Sequence, residues 1–294
     1  MEHRQLKKSE RTKMNKKVLC LCLSIIHVNG FSKEKQSVTH DFTISGEVLD
    51  YRYKEPDVSQ QSNFSKTWMD QKGVLFGIHG SYRLTYQDKV FIQPEGRILL
   101  GREAYRQGGK LGVGIKTDRN TPNLIAEPRL LVGGNIAASQ SLTVSPFTGI
   151  GYRLKIDDSE KTILRSKYPV SDGRISGWYR KSNYVYIPLG AEVSYQVCDA
   201  WSVSVRGEYD YLIKGWQYTR SEKHVKPNPT VTDEQKGTHG LKGEISIGYQ
   251  LDKVKLSLTP YCYYWHIGNS NWKYGGREPY NRTIETGLRF GVGF

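Results

Sequence analysis

The stretch TIETGLRFGVGF, Thr283 to Phe294, separates into two interleaved sets of side chains. Ile284, Thr286, Leu288, Phe290, Val292 and Phe294 fall on one face; Thr283, Glu285, Gly287, Arg289, Gly291 and Gly293 fall on the other. A repeat of two predicts a strand, because successive side chains of an extended backbone point to opposite sides. One face is apolar, while the other combines a carboxylate, a guanidinium and three glycines, and the sequence stops on an aromatic residue.

Nine further segments with the same alternation lie upstream. Phe42, Ile44 and Val48 open the first, after which the apolar set switches to Leu49, Tyr51 and Tyr53, through a bulge or the edge of an apolar band. The next outward faces read Val74, Phe76 and Ile78; Val90, Ile92 and Ile98; Leu124, Ala126 and Leu130; Leu142, Val144 and Ile150. Val185, Ile187 and Leu189, then Trp201, Val203 and Val205, then Leu241, Ile245 and Ile247, then Val254, Leu256 and Leu258 complete the set. The connections alternate in length. Those at 87–89, around 137–140, 196–200 and 252–253 are short, whereas 102–122, 155–182, 214–238 and 266–282 are long. An even strand number with this rhythm is the pattern of a bacterial outer-membrane barrel, with long loops outside and short turns in the periplasm. The last segment resembles the C-terminal strand of such barrels, which ends in Phe and serves as their assembly signal. On that resemblance Phe290, Val292 and Phe294 would be the residues read by the barrel-assembly machinery.

The predicted fold is therefore all-β: a ten-stranded, antiparallel, up-and-down transmembrane barrel over residues 42–294, after a periplasmic segment at 31–41. A soluble sandwich also alternates and is the competing reading; prolines at 94, 128, 146, 188 and 260 cut both ways, since each removes a ladder donor. Residues 1–30 read as an N-terminal extension and signal peptide, with Lys16 and Lys17, the apolar run Val18–Val28 and a small-residue end at Gly30 in secretory order. Met14 is a more typical signal start than Met1. Without those residues, which hold seven Lys/Arg and two Asp/Glu, the net charge falls from +14 to +9. An exported chain of that charge meets anionic lipid and lipopolysaccharide phosphates, and not nucleic acid. No run of about 18 apolar residues could cross a bilayer as a helix. Cys198 and Cys262 fall at different heights of the strand map, which predicts free thiols.

With the charged faces inward, the lumen holds Glu47, Glu95, Glu127, Glu192, Glu208, Asp210, Glu244 and Glu285 against Arg83, Arg97, Arg129, Arg153, Arg206, Lys242 and Arg289. A ten-stranded bore is only a little wider than the eight-stranded barrel that side chains fill, so these groups should meet in an ion-pair network and plug it. A narrow porin is the alternative. The strand number is similar to that of the omptin outer-membrane proteases, which place acidic pairs and an Asp-X-His pair at the outer rim. No Asp-X-His occurs here, and Arg102-Glu103 stands at the top of the third strand where that family has an acidic pair. Glu208 and Asp210, about 7 Å apart on one face, are the weak candidates for an acid/base pair, with their place in the salt network as the competing account. His79, lumenal, is the histidine nearest to a hydrolase or lipid A-modifying site, but its spacing to Ser and acid residues is unspecific. Neither cysteine has a partner at zinc spacing, and no cofactor motif is present. Arg102, Arg106, Lys110, Lys116, Arg119, Lys161, Arg165, Lys167, Arg174, Arg180, Lys181, Arg220, Lys223 and Lys226 form a basic loop crown suited to lipopolysaccharide phosphates or to host or surface glycans. Trp178, Tyr179, Trp216, Trp265 and Trp272 fit an aromatic girdle or a binding site.

Overall fold

The computed structural model describes residues 37–56, 68–108, 116–159, 164–165, 174–175, 178–221, 230–271 and 278–294. Ten long strands carry the fold: β1 Val38–Glu55, β2 Trp68–Tyr86, β3 Val90–Gly108, β4 Lys116–Gly134, β5 Leu142–Asp158, β6 Trp178–Gln196, β7 Trp201–Ser221, β8 His239–Leu251, β9 Val254–Ile267 and β10 Asn281–Gly293. Each pairs antiparallel with its successor. Strand β10 returns to β1, from Thr43 opposite Gly293 to Lys54 opposite Arg282. Phe42 and Phe294 then exchange both backbone hydrogen bonds, at 3.1 and 2.9 Å. The ten long strands thus close into one continuous ladder, which is what a lipid environment demands of a β-structure. A shorter strand, Thr230–Gln235, pairs back onto the upper part of β7.

The outer wall carries an apolar belt. Phe76, Ile78, Leu100, Ile150, Val205 and Phe290 are each half or more exposed, which a water-soluble protein could not sustain around its whole circumference. The belt has a definite upper edge. Along β1 the outward positions after Val48 are Asp50, Arg52 and Lys54; along β2 Val74 gives way to Lys72, and along β3 Leu100 gives way to Arg102. The ladder ignores this edge. Strand β3 runs on to Gly108 and β4 begins at Lys116, where the sequence predicts a connection over 102–122; β5 and β6 likewise shorten the expected 155–182 connection, and β7 the one after 213. Alternation of apolar with polar residues marks the part of a strand in lipid, so it vanishes where both faces become polar. The switch in β1 has the same origin. Its pairing to β2 and β10 is continuous, without a bulge, and Leu49, Tyr51 and Tyr53 remain on the lumenal face, buried. Strand β1 also starts at Val38, so residues 38–41 belong to the barrel wall.

The lumen is layered. On the extracellular side of its charged residues lies an apolar layer formed by Leu49, Tyr51, Leu75, Leu99, Ile125 and Tyr261 with their neighbours, continued by Tyr184, Tyr186, Trp265 and Ile267. Trp265 therefore belongs to the interior, at 1% exposure, and not to an aromatic girdle. Glycines make room for the aromatic rings. A Cβ on Gly151 would lie 2.2 Å from the Tyr186 ring, and one on Gly287 2.3 Å from the Tyr261 hydroxyl.

Candidate functional site

Arg97 of β3 contacts Glu47 of β1 at 3.1 Å, Glu127 of β4 at 2.8 Å and Glu285 of β10 at 2.6 Å. Glu127 also takes Arg153 of β5 at 3.1 Å and Lys242 of β8 at 2.7 Å, while the Tyr186 hydroxyl of β6 donates to it at 2.5 Å. Lys242 continues to Glu208 and Asp210 of β7, each at 3.2 Å. Glu208 pairs with Arg129 and Arg206, and both arginines return to Glu95. Tyr261 of β9 donates to Glu47. Arg83–Glu192 at 3.3 Å and Arg289–Glu244 at 2.6 Å flank this network. Nine strands thus share one connected polar cluster across the bore. Buried ions of this kind survive because each meets opposite charge in several directions; a single uncompensated one would cost several kcal/mol.

Below the network, toward the short turns, the lumen opens into a cavity of about 740 Å³. Its walls are hydroxyl-rich, including Ser45, Ser81, Ser194, Ser204 and Thr259, and His79, Arg206 and Arg289 also line it. The spaces within and above the network are far smaller, about 10 and 20 Å³, room for a water molecule at most. Above the apolar layer a second polar layer closes the mouth. Arg180 reaches Asp157 at 2.9 Å and Glu55 at 3.1 Å, Lys155 donates to Gln71 at 3.0 Å, and Asn123 donates to the buried Glu103. Glu278, in the β9–β10 connection and 13% exposed, faces the same guanidinium at 3.8 Å. Burial, reinforced by the nearby Glu55 and only partly offset by Arg180, pushes the Glu278 carboxyl up to about 8.

The outer wall holds a second feature. On the outward faces of β5, β6 and β7, just above the belt, Tyr152, Tyr179, Lys181, Trp216, Tyr218 and Arg220 line a groove of about 790 Å³. Tyr179 and Tyr218 meet edge to face at 6.4 Å, the Arg220 guanidinium lies 5.0 Å from the Tyr179 ring, and Lys214 sits 5.8 Å from the Trp216 ring. Aromatic faces and cations alternate within one concave surface.

The structure separates the candidate residues. The eight acids and seven bases named for the lumen all lie on its inner wall, each in at least one ion pair. Glu208 and Asp210 do adjoin, and with side chains 1% and 0% exposed they sit inside the network. His79 lines the lower cavity, far from the mouth. The basic crown is not one surface. Arg180 turns inward and is spent on Asp157 and Glu55, because β6 begins at Trp178 and its even positions face the lumen. Arg102 and Arg106 stand on the outer wall of β3, bound to Asn120 and Asp70 respectively. Among the described residues of the crown, Lys181 and Arg220 reach the aromatic groove. Lys110, Lys161, Lys167, Lys223, Lys226 and the whole of residues 1–36 lie outside the described residues, and for Lys116, Arg119, Arg165 and Arg174 the strand position alone is described. Phe290, Val292 and Phe294 are on the outer wall at the short-turn end. Cys198 and Cys262 are free and exposed, in the β6–β7 turn and on the outer wall of β9. The inward Glu55 and Glu103 escaped the sequence reading because they follow the last outward apolar residue of their strands, whereas Lys155 and Asp157 still alternate with the outward Leu154 and Ile156 and continue the pattern of β5 into the expected 155–182 connection.

No family model matches the chain, and no curated protein matches its sequence. Solved structures do. The outer-membrane protease OmpT from Escherichia coli superposes with a TM-score of 0.64 at 12% identity, covering 90% of this chain and 99% of that one. This chain is an outer-membrane β-barrel of omptin-like fold. The larger part of a Gram-negative outer-membrane barrel's character follows from closure, strand number and the apolar belt already described. OprG from Pseudomonas aeruginosa also matches, with a TM-score of 0.34 at 12% identity over 86% of this chain and 95% of that one. So does the toluene transporter TodX from Pseudomonas putida, with a TM-score of 0.36 at 8% identity over 86% and 88%.

Proposed function

We propose that this barrel is a non-conducting outer-membrane protein that binds an anionic glycolipid of the outer leaflet, such as lipopolysaccharide, in the aromatic and basic groove of β5–β7. The observation that carries the reading is the groove itself: cations Lys181 and Arg220 set among Tyr152, Tyr179, Trp216 and Tyr218, directly above the apolar belt. That is the height at which phosphates and sugars of a glycolipid lie when its acyl chains pack on the belt. Aromatic faces stack on sugar rings, and ammonium or guanidinium groups take phosphate through charge-assisted hydrogen bonds.

The test compares binding of phosphorylated and dephosphorylated lipid A to the folded barrel and to a Lys181→Ala/Arg220→Ala variant. Each charge-assisted contact is worth about 1.5–3 kcal/mol, so the variant should bind the phosphorylated form at least tenfold more weakly. Binding of the dephosphorylated form should change little. Equal affinities of wild type and variant for the phosphorylated form would remove the groove from the account.

A further inference from the structure

His239 opens β8 and His266 lies near the end of β9, 27 positions later, too far apart for any metal-ligand spacing to be read along the chain. The ladder sets them directly opposite one another, His239 against His266. Their ring centroids are 5.2 Å apart and the planes are inclined by 32°. Both are half-buried on the outer wall at the extracellular side, above Leu241. Tyr209 and Tyr264 approach the His239 ring at 6.2 and 6.5 Å, and Tyr280 approaches His266 at 6.2 Å.

We propose that His239 and His266 form a cross-strand site for a copper(II) ion on the outer wall. An imidazole nitrogen lies about 1.1 Å from its ring centroid and binds such ions at roughly 2.0–2.1 Å, so two rings sharing one ion hold their centroids about 4.5 Å apart in a square-planar cis pair and about 5.2 Å apart at a tetrahedral angle. The observed separation of 5.2 Å is within that span before any adjustment. Rotation about the second side-chain torsion, which is broad for histidine, aims the nitrogens without moving the backbone. The two strands prepay the ordering that two free imidazoles would need. The groups facing the pair are those three tyrosines and Arg282, which β10 places opposite His266. That positive neighbour weakens any cation, so the site selects the divalent ion with the greatest affinity for imidazole, copper(II) by the Irving–Williams order. No group of three His, Cys, Asp or Glu residues gathers among the described residues. Two imidazoles fill half of the coordination sphere and water fills the rest, which makes the ion exchangeable.

Copper(II) chloride titrated into the folded, tag-free full chain carrying His3→Ala, which removes the amino-terminal Met1-Glu2-His3 chelate and serves as the background for every variant, should show by calorimetry and electron paramagnetic resonance one saturable equivalent with two-nitrogen coordination. His239→Ala and His266→Ala should each lose that equivalent, and His239→Gln should do so while keeping a polar side chain in place. His40→Ala and His224→Ala should keep it. Because the ion bridges β8 and β9, saturating copper should also raise the urea midpoint of the wild type and not of the variants. The absence of a saturable equivalent in the wild type, or its persistence in His239→Ala/His266→Ala, overturns the site.

Discussion

Glu127 is the residue on which most of the lumen turns. Its carboxylate receives Arg97, Arg153 and Lys242 from three other strands, together with the Tyr186 hydroxyl. Glu127→Ala would leave three buried cations short of a partner, so the barrel should lose about 3–5 kcal/mol, read as a lower urea midpoint of the lipid-reconstituted protein. An unchanged midpoint would mean that water, rather than neighbouring charge, satisfies those cations. Gly151 tests the same node by sterics. A methyl group there would overlap the Tyr186 ring, which is itself fully buried and has nowhere to retreat. Gly151→Ala should therefore cost about 1–3 kcal/mol, the usual range for overpacking, although it adds one carbon to a surface strand of an otherwise tolerant wall.

At the scale of the element, β10 was legible from Thr283 to its end, two residues short of its start at Asn281, because it ends inside the lipid belt: every outward residue from Ile284 to Phe294 is apolar or small, and every inward one is polar or Gly. Strands β3 and β6 were legible only up to the belt. Beyond it Arg102, Arg106, Asn183 and Lys181 replace the outward apolar residues, the contrast between faces disappears, and only the hydrogen-bonded ladder shows that the strand continues. The lower ionic layer could be read because its charges alternate with those apolar positions. Of the upper one, Glu55 and Arg180 could not, and neither could the aromatic groove or the facing histidines, which depend on which strands lie side by side. The connection between β9 and β10 contributes a pH dependence of its own. Glu278, ordinarily near 4.5 and raised to about 8 in the fold, binds its proton more tightly when folded than when unfolded. Stability should then fall as pH rises from about 4.5 to about 8 and level off above, since the folded state holds the extra proton throughout that window. Glu278→Gln should flatten this slope in urea midpoints taken at pH 5, 7 and 9; an unaltered slope would assign it to other groups.

For the whole molecule, the layers decide whether anything passes. A solute entering from the short-turn end meets a hydroxyl-lined cavity of about 740 Å³ and then the ion-pair network, whose internal spaces are near 10 Å³. Behind it stands the apolar layer of Leu49, Leu75, Leu99 and Ile125, all at most 1% exposed, and then the ionic mouth. These blocks are independent in chemistry, so weakening one leaves the others. The refolded barrel in a planar bilayer should thus show no steady single-channel conductance, after its folding is established by faster migration unboiled than boiled. Arg97→Ser/Glu127→Ser/Lys242→Ser, which removes charge from the network in near balance, should still be silent, because side chains of the apolar layer offer an ion no polar partner in exchange for its water. Adding Leu49→Ser and Leu99→Ser to that variant is the step at which conductance should appear. Steady, salt-dependent current through the wild type would defeat the layered account outright and make the barrel a narrow porin. Current in the triple variant alone would instead locate the seal in the ions and leave the apolar layer as filling.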